Sequence, residues 1–148
     1  MKKITRSALQ PYPVDYLYTL VNDVARYPEF LPWCSKGEVL EVSDQHMVAG
    51  VTIAKGPINQ RFVTHNRLVP NEAIYMRLVE GPFRHLDGVW RFTALADNAC
   101  KIEFEIDYEV AGGLFGRMLS PVFEQIASTL VDAFSQRARQ LYGAKNSG

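Results

Sequence analysis

Residues 114–141 read LFGRMLSPVFEQIASTLVDAFSQRARQL, and this stretch determines how the rest of the chain is arranged. Its large apolar residues recur at three- and four-residue steps, which places them along one side of an α-helix. At 1.5 Å per residue such a helix is roughly 40 Å long. A long apolar stripe has to be covered, and almost everything before it has the pattern of β-strands. We therefore expect an α+β fold in which a curved sheet grips one long helix.

Pro121 is the residue in this stretch that conflicts with a continuous helix. A proline inside a helix removes a hydrogen bond and clashes with the preceding turn. Ser120 followed by Pro121 also suits the start of a helix. Two arrangements stay open, a main helix that begins here and a helix interrupted here, and the sequence favours a kink or break close to Pro121.

Length and charge limit the kind of protein this is. A chain of 148 residues has the size of one domain, so residues 1–148 are expected to form a single domain. The 16 lysines and arginines balance 16 aspartates and glutamates. A neutral chain argues against DNA and against any partner held mainly through nucleic-acid phosphates. A protein partner within a nucleoprotein particle stays open.

Cysteine use and hydropathy favour a cytoplasmic protein. Cys34 and Cys100 have neither the density of a disulfide scaffold nor metal-binding spacing, which favours a reducing compartment. The basic start of the chain is not followed by the apolar run of a signal peptide. No segment approaches the ~20 apolar residues of a membrane span, so any contact with the inner membrane is expected to be peripheral.

The residues before the long helix alternate between strand patterns and turn signals. A first strand is expected over residues 4–9, and a short amphipathic helix from residue 14 to about residue 23. Further strands are expected over residues 38–42, 47–55, 58–69, 74–79, 85–95 and 101–110. Short connections between successive strands imply antiparallel neighbours.

Residues 27–34, YPEFLPWC, are unusually apolar for a connection between elements. The two prolines forbid a regular helix or a central strand. The segment nevertheless carries three aromatic side chains, a leucine and a cysteine. We expect it to be packed onto the protein or to cover something apolar.

The last predicted strand alternates strictly between apolar and charged residues, so one face meets the helix and the other meets water. The outward acids of this strand have the composition of a metal or acid–base site. Side chains on a solvated face lack the desolvation that such sites use to shift pKa values. Pairing with Arg91 and other outward bases explains them more simply.

The strand over residues 58–69 is an exception to this pattern, because its inward face carries polar as well as apolar residues. If Phe62 points inward, then Gln60, Thr64 and Asn66 also point toward the helix. A buried polar group without a partner costs about 1–3 kcal/mol. These side chains would bond to backbone, to trapped water, or to a ligand in a gap between sheet and helix. A register slip or bulge in the strand would remove the argument.

No arrangement of residues indicates an enzyme. His46, His65 and His85 lack metal-ligand spacing. Nucleophile-elbow, dinucleotide-binding and P-loop patterns are absent. Cys34, a lone cysteine in an apolar loop, has the properties of a packing residue. We therefore expect no catalytic residue, no metal site and no resident cofactor, while cyclase-type chemistry in a shaped cavity stays a third alternative.

Four motifs follow one another in a recognisable order. They are Asp23-Val24, YPEFLPWC at 27–34, GPFRHL at 81–86 and GVWRF at 88–92. From Ile4 to Tyr142 the chain resembles the coenzyme Q-binding branch of the START-like (polyketide cyclase/dehydrase) superfamily. Within that branch it is most similar to the bacterial ribosome association toxin (RatA) family. The resemblance implies a helix-grip fold, in which a seven-stranded antiparallel sheet wraps around the C-terminal helix and encloses a hydrophobic cavity.

The resemblance also implies two alternative functions. One is a binding or carrier protein for a polyprenyl quinone such as ubiquinone, or for another lipid, in support of respiratory electron transfer. The other is a toxin that associates with the large ribosomal subunit and blocks subunit joining. For the second, the helix side offers a modest basic character from Arg117, Arg137, Arg139 and Lys145.

For the lipid alternative the residues suggest a site. A flat quinone ring with two acceptor carbonyls and an apolar tail suits a mainly apolar cavity with a few fixed donors. The candidate walls are Phe62, Met76, Trp90, Phe92, Phe104 and Tyr108 from the sheet, with Phe115, Leu119, Phe123 and Ile126 from the helix. The candidate donors are Gln60, Asn66, Tyr108 and Trp90. The expected rim is formed by segment 27–34 and turn 81–85, with Tyr27, Phe30, Trp33 and Phe83 as ligand contacts.

Overall fold

A computed structural model describes residues 1–147, with side chains described as far as Tyr142. Its strands are β1 (Lys2–Gln10), β2 (Cys34–Val42), β3 (His46–Lys55), β4 (Ile58–Val69), β5 (Ala73–Glu80), β6 (Phe83–Ala96) and β7 (Ala99–Val110). Its helices are α1 (Val14–Asn22) and α2 (Gly113–Ser147), and a 3-10 segment covers Val24–Glu29. The expected order of elements is confirmed.

The seven strands form one antiparallel sheet in the order β1-β7-β6-β5-β4-β3-β2. Tight turns connect each strand from β2 through β7 to the next one along the chain, so each of these strands pairs with its neighbour in sequence. β1 instead pairs with β7, from Lys2 opposite Tyr108 to Gln10 opposite Cys100. α1 and the 3-10 segment therefore connect the two edges of the sheet, and α2 packs on its inner face.

α2 runs through Pro121 as one helix, so the expected break is wrong, while a kink at this position stays a prediction. An interior proline costs about 3 kcal/mol or more in an isolated helix. Leu119 and Phe123, on either side of it, are 0% and 3% exposed against the sheet. Burying two such side chains contributes about 1.5–3 kcal/mol each, which offsets the local cost.

The segment after α1 is more regular than its prolines suggest. Val24–Glu29 forms a 3-10 helix with Pro28 inside it. A 3-10 turn tolerates Pro28 because only short runs with few hydrogen bonds are formed. β2 then begins at Cys34, four residues earlier than expected, where Cys34 pairs with Ile53. Pairing with β3 therefore outweighs the weak strand propensity of residues 34–37.

The two faces of the sheet differ as expected. On the inner face the rings of Trp90 and Phe134 lie 5.3 Å apart, and Trp90 also packs on Phe104 at 4.5 Å. On the outer face Glu105 forms ion pairs with Lys3 at 2.8 Å and with Arg91 at 3.5 Å. The row of acids on β7 thus lies on the outer face, where Glu105 and Glu109 are ion-paired as predicted.

Candidate ligand-binding cavity

A cavity lies between the inner face of the sheet and α2, at the end that the 3-10 segment covers. Its volume is about 90 Å³, and its wall is apolar and aromatic except for Thr64 and Asn66. Of the residues predicted for the site, the cavity is lined by Tyr27, Trp33, Phe62, Asn66, Met76, Trp90, Phe104, Phe123 and Ile126. The structure therefore brings together predicted residues from four strands, from α2 and from residues 24–33, which we call the covering segment.

Other predicted contacts lie outside the lining, packed around it. Phe30 packs on Phe134 at 5.4 Å, and Phe92 packs on Tyr18 at 5.4 Å. Leu119 is fully buried between α2 and the sheet, and Phe115 is half-buried near the start of α2. Phe92 thus packs α1 on the sheet, and Phe30 packs the segment after α1 on α2.

The rings of Phe83 and Tyr108 pack against the ring of Phe123, with centroid distances of 4.8 Å and 4.7 Å. Phe83 is buried in this cluster, so it is not part of an exposed rim. The Tyr108 hydroxyl is buried and has no hydrogen-bond partner in the described part of the chain. Burial raises the pKa of Tyr108, so the phenol keeps its proton at neutral pH.

Gln60 is half-exposed and does not line the cavity, although it shares the inner face of β4 with Asn66. Alternation along a strand gives the face of a residue but not its position relative to the cavity. β4 keeps a regular register with β3 from Lys55 opposite Ile58 to His46 opposite Arg67. Its pairing with β5 shifts between Val63 and Thr64, and Thr64 and Asn66 stay buried despite the shift.

Several lining residues were not among the predicted contacts. They are Val24, Ala49, Val51, Thr64, Leu86, Ile106, Ala127 and Leu130. The spacing of Ala127 and Leu130 after Phe123 follows the helical stripe, and Ala49 and Val51 alternate along β3. These patterns identify inward residues, but small side chains at a cavity look like ordinary core in a sequence.

The polar centre of the cavity is a pair of side chains on β4. Thr64 and Asn66 are 6% and 4% exposed, and the Thr64 hydroxyl donates to Asn66 Oδ1 at 2.8 Å. With Oδ1 engaged, the amide group of Asn66 is left with its two N–H donors. An otherwise apolar wall therefore presents N–H donors to whatever occupies the space.

The covering segment is anchored at two points. The buried Tyr27 hydroxyl donates to the Val21 carbonyl, and burial raises the pKa of Tyr27 well above its usual range. Glu29 accepts a 2.7 Å hydrogen bond from Arg137 Nη2, and the Arg137 guanidinium lies 4.9 Å from the Phe30 ring centre. The segment is thus held both to α1 and to α2.

The described residues offer little to metal or nucleophile chemistry. Among them no group of three or more histidine, cysteine, aspartate or glutamate side chains converges on a point. Cys34 and Cys100 are free and buried, and burial raises the pKa of both thiols.

No helix of residues 1–147 combines the length and hydropathy needed to span a bilayer.

Comparison with known proteins identifies the family. The family described as polyketide cyclase / dehydrase and lipid transport matches residues 10–135. The chain is 56% identical over 140 residues to the ribosome association toxin RatA of Pseudomonas aeruginosa, covering 95% of this chain and 97% of that protein. The chain belongs to the RatA family.

A more distant relative and a solved structure of the same fold are also similar to this chain. Coenzyme Q-binding protein COQ10 homolog B, mitochondrial, of Xenopus laevis is 26% identical over 143 residues, which cover 94% of this chain and 59% of that protein. The crystal structure of the Zhui aromatase/cyclase of a Streptomyces species superposes with a TM-score of 0.81 at 21% identity, over 94% of both chains. The predicted helix-grip, START-like fold is confirmed.

Proposed function

We propose that this protein binds a polyprenyl quinone such as ubiquinone, or a lipid of similar shape, in the cavity between sheet and helix. The observation that carries the proposal is the Asn66 amide, whose N–H groups lie in an apolar wall while Thr64 holds its oxygen. A quinone carbonyl is the acceptor that such a donor suits, and its tail suits the aromatic wall. The coenzyme Q-binding name of a 26% identical relative agrees with this ligand class.

The size of the cavity determines how the ligand enters. Small-molecule pockets typically have about 300–1,000 Å³, several times the 90 Å³ found here. A quinone ring therefore needs the covering segment to move outward. Tyr27 and Trp33 line the cavity from that segment, so an outward shift of the segment enlarges the space.

In this proposal the protein is a carrier and not an enzyme. The cavity holds no acid–base pair, and its polar side chains, Thr64 and Asn66, are neutral. The protein works in the cytoplasm and meets the inner membrane peripherally, where Phe30 and Trp33, both half-buried, contact lipid as the segment opens.

The test is organic extraction of freshly purified protein followed by mass spectrometry of the lipids. We expect a polyprenyl quinone in near-stoichiometric amount from the wild type and little from the Asn66→Leu variant. Gln60→Leu, on the same face of β4 but outside the cavity, is the matched control and should keep the quinone. An empty extract from well-folded wild-type protein would refute the proposal.

A second candidate function is association with the large ribosomal subunit and interference with subunit joining. It is favoured by the 56% identity, over nearly the whole chain, to a protein named ribosome association toxin. The basic residues on the helix side add little support for ribosome association, because Arg137 is paired with Glu29 and the side chain of Lys145 lies outside the described residues. Arg117 and Arg139 remain exposed on α2.

Sedimentation distinguishes the two candidates. Purified protein is mixed with separated ribosomal subunits at low salt, and its position in a sucrose gradient is measured. Migration with the large subunit, with fewer joined particles at rising protein concentration, supports the second function. If the protein stays at the top of the gradient at low salt, ribosome association is refuted, whatever the extract contains.

A further inference from the structure

Two arginines on the outer face of the sheet are without acidic partners. Arg67 on β4 and Arg77 on β5 are exposed, and within the described chain no carboxylate oxygen lies within 4.0 Å of their side-chain nitrogens. Other outward arginines of the sheet are paired: Arg61 with Glu38 and Glu80, Arg84 with Glu109, and Arg91 with Glu105. Unpaired guanidinium groups in the middle of an ion-paired sheet are available for an anionic partner.

Aromatic side chains share this outer face of the sheet with the two arginines. The Arg67 guanidinium lies 4.3 Å from the centre of the Tyr75 ring, and the rings of His46 and His65 lie 5.0 Å apart. The strand register places His46, Arg67 and Tyr75 in one row across β3, β4 and β5. These side chains line one open groove of about 390 Å³. We call His46, His65, Arg67, Tyr75 and Arg77 the basic–aromatic patch.

Two acidic groups lie near the basic–aromatic patch, and neither forms an ion pair with its arginines within the described chain. Asp87 lines the same groove, opposite Arg77 in the register of β5 and β6, and its carboxylate lies 3.3 Å from His85 Nε2. Glu41 lines an adjoining groove together with His46 and His65, and forms no ion pair within the described chain. The patch therefore offers its two guanidinium groups for direct contacts to phosphate and does not depend on a positive potential at longer range.

We propose that the basic–aromatic patch is a contact surface for RNA, a proposal that rests on the ribosome-association candidate. Arg67 and Arg77 are diagonal neighbours on adjacent strands, about 7–8 Å apart at the backbone, and present two separate contacts to a phosphate chain. Unpaired bases stack on tyrosine, histidine and arginine planes, which the groove presents side by side. The partner is thus an exposed, single-stranded stretch of RNA on a ribosomal particle.

The composition of the basic–aromatic patch favours RNA over other partners. A membrane-binding surface combines basic residues with large aliphatic side chains that enter the lipid. Among the residues that line the groove the one large aliphatic side chain is Met76, which lies between Tyr75 and Arg77 on β5 and is half-buried. An acidic protein segment would satisfy the arginines but would not use the aromatic surfaces, so it is treated as an alternative outcome of the test.

The test uses fluorescence anisotropy with a labelled, short single-stranded RNA of mixed sequence, titrated at several salt concentrations. The variant Arg67→Ala/Arg77→Ala removes two charges from the basic–aromatic patch. The control Arg6→Ala/Lys55→Ala removes two exposed charges outside the patch and outside α2. We expect the first variant to lose affinity roughly 25-fold at 0.1 M salt, and its slope of log K against log salt to fall by about 1.4. The control should bind like the wild type.

Parallel sedimentation with large ribosomal subunits separates the failure of this surface from that of the proposed function. If Arg67→Ala/Arg77→Ala binds RNA as the wild type does, or if the control Arg6→Ala/Lys55→Ala loses as much affinity, the RNA surface is refuted. Ribosome association survives that result when both variants still migrate with the subunit. If the patch variant loses subunit binding but no form of the protein binds RNA, the partner is a ribosomal protein and the RNA proposal is overturned. All variants must keep the wild-type melting temperature, as expected for exposed side chains.

Discussion

Asn66 Oδ1 accepts a 2.8 Å hydrogen bond from the hydroxyl of Thr64, two residues earlier on the same face of β4. Both side chains are buried, and both point into the cavity instead of into close-packed core. The bond holds the amide in one orientation, so its N–H groups are preorganised for an acceptor. A pair that served only stability could be replaced by apolar residues without loss, and this leads to the first prediction.

Replacing the pair as a whole should separate stability from binding. In Thr64→Val/Asn66→Leu both partners become apolar at similar shape, so we expect a free energy of unfolding within about 1 kcal/mol of the wild type. The single variant Asn66→Leu leaves the buried Thr64 hydroxyl without an acceptor and should be about 1–3 kcal/mol less stable. Denaturant unfolding measures both, and lipid extraction should find the quinone lost in both. Retention of quinone by the stable double variant would show that Asn66 is not the anchor.

Phe123→Trp should block the cavity while the fold persists. Phe123 lines the cavity and packs on Tyr108 and Phe83, so a larger ring at this position extends into the free space. Overpacking of this kind costs about 1–3 kcal/mol, which a domain of this size tolerates. Quinone content by mass spectrometry should fall to background. Phe115→Trp, on the same helix but outside the lining, is the control, and equal quinone content in both variants would exclude Phe123 from the wall.

Tyr27→Phe should weaken the anchor of the covering segment and change the response to alkaline pH. Loss of the hydroxyl leaves the Val21 carbonyl without its donor, at a cost of about 1–2 kcal/mol at neutral pH. Burial raises the pKa of the folded Tyr27 phenol above the ordinary value near 10. The folded state therefore holds a proton that the unfolded state releases. That contribution is complete below about pH 10 and is lost as the pH rises further.

Thermal unfolding at neutral pH and above about pH 10 measures this contribution. The wild type should lose stability more steeply with rising pH than Tyr27→Phe does. Tyr16, Tyr18 and Tyr108 also have raised pKa values and contribute in both proteins, so only the difference between the curves belongs to Tyr27. Tyr75→Phe, an exposed tyrosine, is the control, and curves of equal slope for Tyr27→Phe and wild type would contradict the prediction.

The Arg137–Glu29 pair should control how readily the segment opens. Arg137 is 12% exposed at its side chain, but Glu29 is 49% exposed and also lies 3.6 Å from Arg26. For a pair with one solvated partner we expect a coupling of about 0.2–1 kcal/mol in a double-mutant cycle of Arg137→Ala and Glu29→Ala. Hydrogen exchange should quicken in the 3-10 segment of Arg137→Ala, and remain slow in the exposed control Arg139→Ala. Unchanged exchange in Arg137→Ala would mean that the anchor lies elsewhere.

The strands and the helix were predictable because their signals are local. β7 alternates between apolar and charged residues, and the apolar stripe of α2 repeats at helical spacing, so both faces follow from the pattern. Pro121 shows where local reasoning stops. Its cost is local, but the burial of Leu119 and Phe123 that offsets it comes from the sheet, which a window of sequence does not contain.

The binding site was only partly predicted, because a sequence pattern gives the face on which a residue lies but not its position relative to the cavity. Alternation along β4 placed Gln60 and Asn66 on the inner face, and residue types suggested both as donors. Only the packed structure separates them, because the cavity ends before Gln60 and surrounds Asn66. The basic–aromatic patch is of the same kind, since Arg67 and Arg77 become neighbours only through the pairing of β4 with β5.

By itself the sequence determined an antiparallel sheet around one helix, the inward face of each strand, and the family to which the motifs at 27–34 and 81–92 belong. These depend on side-chain periodicity and on turn residues, which act over a few positions. The tertiary structure alone decided the continuity of α2, the depth of each inward residue, and the unpaired state of Arg67 and Arg77. Those properties depend on which groups meet across the fold, and contacts between distant residues leave no periodic trace in a single sequence.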